Sequence, residues 1–332
     1  MGIKFSLLSV IALMAAVFVG VKVAGLHYFF GVVVPYAALA TFLVGFIYRI
    51  LLWARSPVPY NITTTAGQQQ SLPWVKQNKL DNPTTTAGTI GRMALEVLFF
   101  RSLFRNTKYE YHEGPKLRYQ WEKWLWIFGL LFHYSFLVIF LRHLRFFTEP
   151  VPGFVHRLEG LDGMLQVGLP GIYITNLIFI AAVTFLFLRR VVIPQVRYIS
   201  LPADYFPLFL LFFLGLTGIL MRYFSKVDVV KVKELALGIV TFNPVVPSGI
   251  GVLFYMHFFL LCVLLAYFPF SKLMHLGGIF LSPTRNMPND SRMRRHVNPW
   301  NYPVKVHTYE EYEDDFREKM IEAGLPVEKE SK

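Results

Sequence analysis

Four of the nine histidines stand in strongly apolar surroundings: His133 and His143 in HYSFLVIFLRH, His257 and His275 in MHFFLLCVLLAYFPFSKLMH. An ionisable side chain inside a bilayer is costly and marks a functional site by default, the plain alternative being a hydrogen bond across helices or a side chain snorkelling to the interface. Neutral imidazole binds iron well, and two imidazoles facing each other across a macrocycle give a six-coordinate haem suited to electron transfer rather than oxygen binding. Zinc would require compact tetrahedral clusters with Cys, Asp or Glu, and the chain has no HExxH or similar motif. A proton relay in a transporter is the non-redox use of such histidines, against which stands the lack of a clear repeat between the two halves. His27, His112, His156, His296 and His307 fall in expected loops or tails and read as solvated.

The elements that must carry these histidines follow from composition. With 54% hydrophobic and 17% aromatic side chains among 332 residues and a mean hydropathy of +0.44, the chain holds more apolar surface than a soluble domain can bury. A spanning helix needs roughly 20 mostly apolar residues. Six segments meet this, about 5–24, 29–53, 122–145, 166–188, 205–221 and 248–271, and predict an all-α integral membrane bundle of about six transmembrane helices. The first reads as a span rather than a cleaved signal, because AAVFVGVKVAG offers no clear small-x-small cleavage site. Met1-Gly2 with Ser6 fits a bare myristoylation pattern that six spans make superfluous. The single cysteine, Cys262, lies within the sixth span and excludes an intrachain disulfide, an iron–sulfur cluster and a CxxCH haem attachment.

Spacing then relates the histidines to one another. On an ideal helix, ten residues separate His133 from His143 by about 15 Å of depth, and eighteen separate His257 from His275 by about 27 Å. The third and sixth helices run in opposite directions, so the level partners are His133 with His275 on one side and His143 with His257 on the other. Eighteen residues return to one face, but ten leave a pair about 80° apart, and the two depths differ. Tilt must absorb this, helped by Pro269, which can kink or end the sixth helix.

About 25 of the 33 Lys and Arg fall on the side that holds the start, the loop 54–121, the turn with Arg189, Arg190 and Arg197, and the tail. By the positive-inside rule that side is cytoplasmic, with both termini, and the expected location is the cell's inner (cytoplasmic) membrane. Anionic headgroups and this topology account for the net charge of +12 without nucleic acid. The loop carries TTTAG twice, at Thr63–Gly67 and Thr84–Gly88, and its Thr, Gly, Pro and Asn content favours turns. IGRMALEVLFFRSLFR (90–105) reads as an amphipathic helix along the membrane surface, and EEYEDDFREKMIEAG as a short charged helix in the tail. The expected organisation is an extra N-terminal span (1–28), a membrane domain (29–276) with its loop 54–121, and a tail (277–332).

Histidines ten apart on one helix, a second pair eighteen apart on a later one, and PFSKLMH around His275 resemble the di-haem cytochrome b, or gamma, subunit of respiratory nitrate reductase over about residues 29–280. TTTAG, GQQQSLPW and RSLFRNT more closely resemble the cytochrome b subunit (M subunit) of the DsrMKJOP membrane complex of dissimilatory sulfite reduction, whose archaeal relatives are heterodisulfide-reductase-like menaquinol oxidoreductase subunits. The resemblance implies two haem b groups with His133, His143, His257 and His275 as axial iron ligands. It implies electron exchange with menaquinol and menaquinone as one subunit of a membrane redox complex, and a cytoplasmic iron–sulfur partner related to heterodisulfide reductase. The chain departs from the nitrate reductase pattern where Arg142, not glycine, precedes His143, and where the following loop offers Arg157 in place of a lysine that supports the quinone site. The haem ligands are therefore carried over and the quinone residues are not.

Overall fold

The computed structural model describes residues 2–58, 67–112, 116–164, 171–293 and 307–329, with backbone alone over 107–121. In chain order, α1 (Gly2–Lys22) and α2 (Phe29–Ala54) lead into a soluble segment that holds α3 (Thr86–Phe99) and an antiparallel ribbon of β1 (Thr107–His112) and β2 (Lys116–Trp121). Next come α4 (Lys123–His143), the short α5 (Gly153–Asp162), α6 (Ile174–Val192), α7 (Pro202–Tyr223), α8 (Val229–Val240) and α9 (Val252–Tyr267). A short α10 (His275–Leu281) and the tail helix α11 (Tyr309–Glu322) complete the chain. Six of these, α1, α2, α4, α6, α7 and α9, are long and apolar enough to cross a membrane, and they form an all-helical membrane bundle.

The spans approach closely where side chains are small, which is how helices associate when lipid is as apolar as their own surfaces. At Gly215 of α7 a Cβ would fall 2.8 Å from the Phe179 ring of α6, and at Gly45 of α2 it would fall 2.8 Å from Pro269. One apolar cluster joins Val10, Phe179, Val183, Leu210, Leu260 and Leu264, with Phe132, Phe136 and Ile139 packed on it. A second, nearer the other face, joins Val17, Val21, Phe30, Leu235, Phe254 and Tyr255. The Ser6 hydroxyl donates to Pro202 O (3.0 Å), so the start of the chain, the 193–201 turn and the ends of α2 and α9 share one face.

On that face the loop and the tail are one unit. Arg92, 3% exposed, donates to the carbonyls of Asp81 (3.1 Å), Arg285 (2.6 Å) and Met287 (2.9 Å). Burial lowers the pKa of its guanidinium. Asn289 Nδ2 donates to Asn82 Oδ1 (2.6 Å), and Asn289 N donates to Pro83 O (2.7 Å). The second TTTAG copy starts α3, Thr85 Oγ1 accepting from Gly88 N. Residues 63–66 of the first copy, and 294–306 of the tail with His296, lie outside the described residues.

Two expectations change here. The 90–105 segment is not one helix, because Phe100 adopts a left-handed conformation (φ 50°, ψ 45°) that ends α3 and sets off the turn 101–104. It also packs on the first half of α4: Trp126 Nε1 donates to Phe99 O (2.7 Å), Tyr134 Oη donates to Leu98 O (2.8 Å), and the rings of Phe104 and Trp126 lie 4.8 Å apart. The ribbon departs from the turn-rich loop expected of 54–121; its cause is the two-residue alternation of Tyr109 and Tyr111, and of Leu117, Tyr119 and Trp121, around Gly114-Pro115.

Candidate functional site

The structure brings the four intramembrane histidines together in two pairs. The rings of His133 and His275 have centroids 5.9 Å apart and planes at 83°; those of His143 and His257 are 6.4 Å apart with planes at 18°. His275 is not part of the sixth spanning helix. That helix ends at Tyr267 and tightens into a 3-10 turn over Phe268–Phe270, and Ser271 (φ −120°, ψ 176°) turns the chain so that His275 opens α10. Proline at 269 cannot donate into the helical ladder, and the Ser271 hydroxyl accepts from Leu273 N (3.2 Å) to cap the next turn. A bend, not 27 Å of helical rise, thus sets the level of His275.

Every Nδ1 has a hydrogen-bond acceptor. His133 bonds Gly129 O (2.7 Å), His143 bonds Ile139 O (2.7 Å) and His275 bonds Lys272 O (2.9 Å). His257 Nδ1 lies 2.9 Å from Thr217 Oγ1, which is also within reach of Phe213 O (2.8 Å) and Leu214 O (3.0 Å); with the hydroxyl proton on either carbonyl, Thr217 accepts from the imidazole. The carbonyl acceptors place the proton of His133, His143 and His275 on Nδ1 and leave the lone pair on Nε2, and Thr217 permits the same tautomer at His257, the arrangement in which a ligating histidine is oriented by its other nitrogen.

The donor set decides what could fit. Among the described residues no group of three or more His, Cys, Asp or Glu could hold a metal ion. Two imidazoles per level suit an iron that brings four ligands of its own. A metal–imidazole bond of about 2 Å on either side, with roughly 1 Å more from nitrogen to ring centre, separates two axial rings by about 6 Å. Along α4 between His133 and His143, Phe136 and Ile139 pack on the apolar cluster, and the polar side chains are Tyr134, bonded to Leu98 O (2.8 Å), Ser135, bonded to Phe132 O (3.1 Å), and Arg142, paired with Asp162 (3.1 Å). Phe100 and Phe132 flank His133 edge-on at 4.9 and 5.0 Å, and Phe146 lies 5.8 Å from His143.

Both pairs fall within residues 93–289, and those residues match the nitrate reductase gamma subunit family. The chain belongs to the nitrate reductase gamma subunit family. Among its relatives are the Hdr-like menaquinol oxidoreductase cytochrome b-like subunit of Archaeoglobus fulgidus, 50% identical over 279 residues, and that of Archaeoglobus profundus, 47% identical over 274 residues. The first alignment covers 82% of this chain and 83% of the relative, the second 80% and 81%. In this nitrate reductase gamma family member α1 and α2 precede the matched stretch.

The family member's Arg142, which departs from the nitrate reductase pattern, turns away from the histidines into a buried polar group. Its Nε lies 3.1 Å from Asp162, its Nη2 donates to Asn176 (3.0 Å) and Thr175 (3.3 Å), and its guanidinium stacks 3.8 Å from the centre of the Tyr173 ring. This group and Thr217 escape sequence reasoning, because Arg142 is 33 and 34 residues from Thr175 and Asn176, Thr217 is 40 from His257, and none of them forms a motif. The only signal is a lone threonine between glycines in the apolar run FLGLTGIL. Among the other described histidine side chains, His27, His156 and His307 are exposed, His156 3.9 Å from Glu159 and His307 3.7 Å from Asp315.

Proposed function

We propose that this chain is a di-haem membrane electron-transfer subunit that exchanges electrons with the menaquinone pool, oxidising menaquinol, and serves a multi-subunit oxidoreductase of dissimilatory sulfur metabolism. One observation carries the proposal: two imidazole pairs about 6 Å across, each ring with Nδ1 bonded and Nε2 free. His133 with His275 would hold the inner haem b and His143 with His257 the outer one. When bound, the haem supplies one-electron redox chemistry at two depths of the bilayer. The protein's part is to fix the four rings, to keep the space between the levels apolar, and to offer a lipid-accessible surface to a lipophilic donor. Menaquinol as that donor is supported by the names of the relatives.

The bias of Lys and Arg supports a cytoplasmic-membrane location with both termini and the loop–tail unit on the cytoplasmic side. One buried cysteine cannot ligate a cluster, and no GxGxxG motif occurs, so a further subunit has to accept the electrons. We assign that role to a cytoplasmic iron–sulfur subunit of heterodisulfide-reductase type, docked on the unit that Arg92 and Asn289 tie together beside the inner pair. The apolar stretch 95–104 contributes less to that surface than its sequence suggests, since much of it packs on α4. A proton relay is not favoured, because each Nδ1 is committed and the segment of α4 between the levels packs into an apolar cluster.

The test is reduction of the purified complex by a menaquinol analogue. Both b-type signals should appear in the reduced-minus-oxidised spectrum and a quinone-site inhibitor should suppress them. Reduction by soluble donors alone would remove menaquinol from the proposal.

A further inference from the structure

At the outer end of the bundle, beside the His143–His257 pair, two arginines sandwich one tyrosine: Arg142 and Arg222 each stand 3.8 Å from the centre of the Tyr173 ring. One carboxylate serves them. That carboxylate, Asp162, forms an ion pair with Arg142 (3.1 Å) and accepts from Thr175 N (2.8 Å) and from the Thr175 hydroxyl (2.6 Å). Arg222 donates only to Gly171 O at 3.4 Å, its Nε, like that of Arg142, is buried without a hydrogen-bond partner, and unlike Arg142 it has no carboxylate within ion-pair distance among the described residues. The C-terminal dipole of α7 favours a cation in this last turn but supplies only about half a charge and no acceptor for Nε. A surplus positive charge in a half-buried place is costly unless an anion meets it.

The position of Arg222 says which anion. Gly218 faces the outer pair, since a Cβ there would lie 3.4 Å from His257 Cε1. Arg222 is four residues on, one helical turn and about 6 Å further toward the outer surface on nearly the same face. A planar guanidinium binds carboxylates with two parallel hydrogen bonds, and the edge of a b-type haem carries two carboxylates that need neutralising in a bilayer.

We propose that Arg222, braced by Tyr173 and Arg142, is the binding residue for a propionate carboxylate of the outer haem. The inference rests on the di-haem reading, and Arg222 acts on the haem edge rather than on the iron. The test uses the purified complex with R222Q and R222K, read by redox titration and by the haem-to-protein ratio. Removing a cation beside the iron favours the more positive oxidised state, so R222Q should lower the midpoint potential of the component that a His257 variant lacks and leave the other unchanged. R222K, which keeps the charge but loses the fork, should retain the potential and release that haem several-fold faster in detergent. Wild-type haem content of two with no selective shift in R222Q and no faster release in R222K would overturn the clamp while leaving the di-haem reading intact; no haem in the wild type would overturn the di-haem reading instead. If R222Q fails to accumulate, the release rate of R222K alone decides. Loss of co-purifying phospholipid phosphorus from R222Q at an unchanged potential would identify the anion as a lipid headgroup and overturn the proposal.

Discussion

The inner and outer histidine pairs use the same side chains at nearly the same separation, 5.9 and 6.4 Å, yet they are held in different ways. His257 sits inside a continuous helix and His143 at the last residue of one, and a hydroxyl of a third helix, Thr217 of α7, bonds the former, so the packing of three helices determines their geometry. His133 meets a residue that lies beyond a helix break, and the turn shaped by Pro269 and Ser271 determines where His275 goes. The outer pair is flanked by buried charge, and the inner pair by the loop–tail unit. A site in rigid packed helices tolerates little change, whereas one completed by a turn at the membrane surface can respond to what docks there.

The largest effect should come from cutting the loop–tail unit. R92A leaves three carbonyls without their charged donor, a loss of about 3 kcal/mol or more locally. Under the proposed function both haem signals should survive while the proposed iron–sulfur subunit is lost from the purified complex and any spectral change falls on the inner component. Full stoichiometry of that subunit would move its contact elsewhere. Next is the difference in ring planes. Each imidazole donates π density to one iron d orbital; parallel rings load a single orbital and split the pair, while perpendicular rings load both and leave them nearly equal. Electron paramagnetic resonance of the oxidised complex should therefore show a rhombic low-spin signal from the outer pair at 18° and a highly anisotropic one from the inner pair at 83°. Two identical signals would erase the contrast.

Smaller effects separate the supports. T217V removes the acceptor of His257 Nδ1 and should weaken retention of the outer haem by roughly 10- to 100-fold, without touching the inner one. S271A removes a cap worth about 1 kcal/mol and should make the inner signal disappear a few degrees earlier on heating, with the outer unchanged. Equal sensitivity of both components to either change would mean that the pairs share their supports.

The six spans were legible because hydropathy alone marks a membrane helix, and their ends fall within a few residues of those expected, except that the fourth helix starts at Ile174. The histidines were legible as residue types, since few polar side chains interrupt those runs. The route by which His275 reaches the level of His133 was not, because helical arithmetic has no term for a chain that leaves its helix at Phe268. Nor was the place of Arg142: its partners Asp162, Tyr173, Thr175 and Asn176 come together only when α4, α5 and α6 pack. The joining of loop and tail rests on side chain to backbone bonds across 193 and 195 residues, which leave no trace in composition.

If two histidine pairs hold two haems, haem content must follow the pairs. The direct measurement is the haem-to-protein ratio by pyridine haemochrome, made on the wild type and on alanine variants of His133, His143, His257 and His275, with redox titration to identify the component that remains. Two haems in the wild type and one in each variant are expected, with His133 and His275 variants losing the same component and His143 and His257 variants losing the other. No b-type haem in the wild type, or loss of the His133 component on changing His257, would contradict it.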